Sequence, residues 1–109
     1  MIDFHSRGNS IYYYRNAMDY EYNKNQFNIA CSLSKSTKYS LYTKNLENTD
    51  NISGGNTVNF FSETFYLPAL TIETVDNNAT FPLYNGYCRS VFNEIKNVPM
   101  NFLKLLIQI

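Results

Sequence analysis

The sequence has no tryptophan, one histidine, two cysteines, three prolines and four glycines, and each scarcity removes a class of protein. A structural zinc site normally takes four Cys or His ligands; Cys31, Cys88 and His5 supply three, at unrelated positions, so no metal site is expected. No phosphate-binding loop is present, because Ser53-Gly54-Gly55-Asn56-Thr57 lacks the lysine, and there is no dinucleotide fingerprint or EF-hand loop. No cofactor is expected. With so few Pro and Gly, no linker divides the chain, and 109 residues make one domain, 1–109.

Long hydrophobic runs are missing too. The opening MIDFHSRGNS has no apolar core of a secretory signal. The most apolar stretch, FLKLLIQI, is interrupted by Lys104 and falls far short of the roughly 20 residues that cross a bilayer. The expectation is a soluble protein of the cytoplasm (the host cell's, if the source is viral) without a membrane partner. In that reducing setting Cys31 and Cys88 read as small buried hydrophobes.

Charge is scarce and sorted by sign. Residues 23–44 contain Lys24, Lys35, Lys38 and Lys44 and no acid, whereas residues 45–88 contain five acids and no Lys, Arg or His. The net charge is nevertheless zero.

What is abundant is tyrosine, phenylalanine and asparagine, at ten, eight and sixteen residues. Asparagine favours turns over long helices. In IYYYRNAMDYEY, residues 11–22, five tyrosines fit either a half-buried wall with rings inward or a recognition surface.

Periodicity yields an α+β fold: an antiparallel sheet of N-terminal strands with one helix near 86–98 packed on it. QFNIACSLS alternates Phe27, Ile29, Cys31 and Leu33 against smaller or polar residues, the two-residue period of a strand. KYSLYTK supplies a second strand, so the pair reads as a hairpin, with IYYYR alongside. The polar NLENTDNISGGNT, 45–57, is an internal loop. TVNFFSETFYL is a short helix or a strand, ended by Pro68. ALTIETV is a strand, and Asn77-Asn78 a turn. From Gly86, the three- and four-residue spacing of Cys88, Val91, Phe92, Ile95 and Val98 predicts a helix that stops before Pro99. The tail MNFLKLLIQI fits helix or strand.

Function follows by elimination. A lone histidine near a terminus expected to fray is a poor catalytic base, so the chain is expected not to be an enzyme. The leading expectation is a small protein-binding module from a virus or mobile element, such as an anti-CRISPR-like inhibitor of a host defence or nucleic-acid-handling protein. It would cover a basic channel or mimic nucleic acid through Glu63, Glu73 and Asp76, with Tyr13, Tyr20 and Tyr22 as anchors. The alternative is a single-stranded nucleic-acid binder using Lys35, Lys38, Tyr39, Tyr42 and Lys44, where Lys38, Ser40, Tyr42 and Lys44 would share a strand face. A third possibility is RNA cleavage by His5 with Arg7 and a tyrosine. The apolar tail, Leu105, Leu106, Ile107 and Ile109, points to a homodimer.

Overall fold

In the computed structural model, which describes residues 1–42 and 56–107, the segment expected to be the first hairpin strand is the middle of a helix. Eight elements follow in order: β1 (Ile2–Ser6), β2 (Ser10–Tyr12), α1 (Tyr20–Thr37), β3 (Ser40–Tyr42), α2 (Thr57–Phe65), β4 (Leu70–Thr74), α3 (Gly86–Ile95) and α4 (Val98–Ile107).

Helix α1 replaces the expected hairpin for a reason visible in its burial. Its inward positions are Tyr22, Asn23, Gln26, Ile29, Ala30, Leu33 and Thr37, spaced as one side of a helix. Three of the seven are polar, so the stripe is disguised, and the alternation of Phe27 with Ile29 is incidental; Phe27 stays largely exposed. The ends are well defined. The Asp19 carboxylate accepts from Tyr22 N, and Lys38 closes the helix in a left-handed conformation, its N–H donating to Ser34 O.

The α+β class holds, but the sheet is mixed, in the order β1-β4-β2-β3. β1 and β4 run parallel, β4 and β2 antiparallel, and β2 and β3 parallel, so KYSLYTK supplies β3 through the α1 crossover instead of a hairpin. β4 inserts between β1 and β2, which the chain connects through only three residues. At that corner Gly8 has φ +148°, a conformation that favours glycine, and its N–H donates to Val75 O at 2.7 Å. The N-terminal residues are not frayed: Ile2 to Ser6 pair along β4, and Leu70 N donates to Met1 O.

The register sorts side chains to two faces. Ile72 lies beside Phe4 and Ile11, and Ile11 beside Leu41. That face packs on α1 and α4, where Ile11, Ile29, Leu33, Leu70, Ile72, Val98 and Phe102 form the core. The other face carries two rows, Asp3–Thr71–Tyr12–Tyr42 and His5–Glu73–Ser10–Ser40.

The ambiguous segments resolve as helices α2 and α4, and ALTIETV as β4. Helix α3 covers the first part of the expected 86–98 helix but ends at Ile95, and α1 and α4, not α3, pack on the sheet; Val98 and Pro99 begin α4, where the missing proline N–H is harmless. The expected loop 45–57 falls outside the described residues except for Asn56 and Thr57, which cap and begin α2. Cys88 is exposed and Cys31 half-buried, so neither is the buried hydrophobe expected. No described helix is long and apolar enough to cross a membrane.

Candidate functional site

Helix α2 starts over the second face of the sheet and leaves a cleft of about 250 Å³ beside it, lined by Asp3, His5, Tyr12, Arg15, Asn56, Val58, Thr71 and Glu73. β1 supplies Asp3 and His5, two residues apart and therefore on one side of the strand. β4 supplies Glu73, the register partner of His5.

Each group is held. The Asp3 carboxylate accepts from Thr57 Oγ1 at 2.7 Å, and its Oδ2 lies 3.0 Å from His5 Nε2. The Thr57 hydrogen bond first and the His5 contact second hold the Asp3 carboxyl below the usual carboxylate range. The Asp3 hydrogen bond in turn pushes the His5 imidazole above its ordinary value. Burial pushes the Glu73 carboxyl up, and its Oε2 is buried without a hydrogen-bond partner among the described residues. Tyr12 is half-buried; desolvation first, and the hydrogen bond to Tyr42 second, push its hydroxyl up to about 12, and its ring stacks on that of Tyr42 at 4.2 Å. Arg15 is buried, donating to Tyr12 O at 3.1 Å and to Ala69 O at 3.4 Å. An oriented imidazole beside a desolvated carboxyl can move protons.

This constellation is only partly legible in the sequence. Glu73 and His5 stand 68 positions apart, and nothing in their local context links them before β1 is known to pair with β4. The spacing of Asp3 and His5 was available, but it has meaning only if residues 2–6 form a strand. Arg7, the expected companion of His5, is elsewhere: its guanidinium donates to Ala79 O at 3.1 Å and stacks over Phe81.

The other expected site residues scatter. Tyr13 and Tyr22 are buried, and the Tyr22 hydroxyl donates to Leu67 O at 2.7 Å, whereas Tyr20 is exposed. Glu63 lies on α2, Glu73 in the cleft, and Asp76 just beyond β4, where it accepts from Asn78 N. Lys35 is in the last turn of α1 and Lys38 is its cap, so neither shares a strand face with Tyr42. Tyr39 is buried and donates to Glu94 Oε1 at 2.6 Å. Lys44 lies outside the described residues.

A second surface has no signature in the sequence. Helix α3 has no buried residue, and a groove of about 470 Å³ separates it from the end of the sheet, walled by Val75, Leu83, Tyr87, Val91, Phe92 and Ile95. Tyr84 and Phe92 are 71% and 61% exposed at its rim. The apolar periodicity that predicts the helix implies a core-facing stripe, and nothing local distinguishes a covered stripe from an open one. Helix α4 likewise exposes Met100, Leu103 and Ile107, three or four residues apart, while Leu105 and Leu106 pack against the core; Ile109 lies outside the described residues.

Comparison with protein-family models, with curated proteins and with solved structures finds no match for this chain.

Proposed function

We propose that the protein is a small binding module that captures another protein on the α3 groove. The observation that carries this reading is a ten-residue helix with an apolar wall and no buried residue. A helix of that length is marginal by itself in water, and such a stripe is stable when something covers it. Phe92 and Tyr84 are the anchors, a role in which large exposed rings are favoured. Asp76 and Glu94 line a neighbouring cavity that shares Val75, Tyr87 and Val91 with the groove, and they suit a partner with basic residues around an apolar segment. A basic nucleic-acid-handling protein, as an anti-CRISPR-like inhibitor would meet, has that character.

The test is photo-crosslinking from position 92 in a lysate of the native host, with position 24 on α1 as control. A basic protein should be captured at 92 alone, and capture should disappear with Val91→Asp or Asp76→Lys in a chain that melts normally. Equal capture from both positions, or capture unchanged by both substitutions, removes the reading. A crosslink only to a second copy would instead favour the homodimer. The dimer expected from the C-terminal tail would instead cover Met100, Leu103 and Ile107 of α4, which are exposed in the single chain.

A second reading, single-stranded nucleic-acid binding, is favoured by the Tyr12–Tyr42 stack on the second face of the sheet. It moves from the expected lysine-bearing hairpin to that face.

A further inference from the structure

We infer that the cleft between β1, β4 and the start of α2 is an acid–base site for a ribonucleotide phosphodiester, with Glu73 as the base and His5 as the acid. The inference does not depend on the α3 groove or on the protein-binding reading. It departs from the expectation of a non-enzyme, which rested on His5 being a lone histidine near a terminus expected to fray, whereas residues 2–6 are paired along β4.

Three observations carry it. First, His5 and Glu73 are register partners on neighbouring parallel strands, which run about 4.8 Å apart. Their side chains leave the same face side by side, a spacing that can straddle one phosphorus atom. Second, His5 is oriented, because Asp3 occupies its Nε2 and Thr57 fixes Asp3. Nδ1 is then the nitrogen that hands over a proton. Third, one oxygen of Glu73 is buried with no donor to it among the described residues, which keeps the carboxylate basic.

The substrate class follows from what lines the cleft. Among the described residues its lining has no serine, cysteine or lysine, and its hydroxyls are those of Thr71 and Tyr12; a substrate that brings its own nucleophile needs none of them. A ribonucleotide brings one in its 2′-hydroxyl. Protonated His5 and the Arg15 guanidinium give the phosphate its positive charge. The stacked Tyr12 and Tyr42 continue the same face across β2 and β3, where an adjoining base can lie on a ring.

The step balances without a co-reactant. Glu73 takes the 2′-hydroxyl proton, and the 2′-oxygen forms a bond to the adjacent phosphorus. The bond from phosphorus to the 5′-oxygen breaks, its electron pair leaves with that oxygen, and His5 supplies the proton. The products are a 2′,3′-cyclic phosphate end and a 5′-hydroxyl end.

Activity needs Glu73 ionised and His5 protonated, so the rate should be bell-shaped in pH. The titratable and charged groups facing the pair are Asp3 from β1, Tyr12 from β2 and Arg15; the start of α2 brings Thr57 and Val58, with its cap Asn56, and no charge.

The test uses the purified chain with a fluorogenic single-stranded RNA and its DNA and 2′-O-methyl counterparts. RNA alone should be cut, leaving a cyclic phosphate. His5→Ala and Glu73→Gln should each lower the rate by at least about 100-fold, with melting temperatures close to the parent's. Asp3→Asn, a change to a positioning residue, should move the alkaline limb of the profile to lower pH. No cleavage above the Glu73→Gln preparation, or equal cutting of 2′-O-methyl RNA, overturns the inference. Binding of 2′-O-methyl RNA without cleavage of RNA also overturns it, while leaving the nucleic-acid-binding reading in place.

Discussion

Gln26 grips both backbone groups of Ala69: its Oε1 accepts from Ala69 N at 2.9 Å and its Nε2 donates to Ala69 O at 2.6 Å. The same Nε2 donates to Tyr13 O at 2.8 Å, so one fully buried amide joins α1 to the entry of β4 and to the end of β2. Removing it strands buried backbone groups that water cannot reach. Gln26→Leu should lower stability by about 3 kcal/mol, given about 1–3 kcal/mol for each orphaned group, measured by urea unfolding. Gln26→Glu should be worst above about pH 5, because an ionised carboxylate would face two carbonyls, and should partly recover on acidification as its raised pKa restores a donor.

Tyr39 and Glu94 tie α3 to the rest of the fold through a 2.6 Å hydrogen bond. Burial and that bond push the Tyr39 hydroxyl up, so it stays protonated through the neutral range. Tyr39→Phe keeps the packed ring and frees Glu94 to water, which should cost about 1 kcal/mol. Amide exchange should quicken in α3 more than in α1. Uniform change across both helices would show that the bond does not anchor α3.

Val75 is buried with φ +70°, a conformation that a β-branched residue rarely adopts. Substitution to alanine discards packing and keeps the backbone cost, whereas glycine removes both. Val75→Gly should therefore be more stable than Val75→Ala by about 1 kcal/mol, the reverse of their usual order within helices and strands. Denaturant midpoints for the two variants decide it.

Asp19 caps α1 and also accepts from the Tyr66 hydroxyl at 2.7 and 2.8 Å. The Tyr22 N–H first, and Tyr66 second, hold its carboxyl below the ordinary range. A depressed carboxyl contributes stability above its unfolded value, near 3.9, and loses it as pH falls through the folded one. Asp19→Asn should thus flatten the fall in melting temperature below about pH 4. An unchanged acid limb would mean that the cap does not titrate with folding.

Legibility followed the range of the interaction. β4 announced itself by alternation and α3 by three- and four-residue spacing, because each pattern is complete within one element. Helix α1 is hidden in the sequence because Asn23, Gln26 and Thr37 occupy its inward side, and the partners of the first two, at Arg15 and Ala69, are known only after folding. Likewise Tyr13 and Tyr22 are core residues and Tyr20 is not, which no count of tyrosines foretells.

By itself the sequence determined an α+β domain, the positions of β4 and α3, and a stock of titratable groups with one imidazole. Only the tertiary structure decided that β4 slides between β1 and β2, and that insertion is what sets Glu73 beside His5. Strand order is chosen by burial summed over the whole chain, so residues far apart in sequence become neighbours through contacts that neither of them encodes.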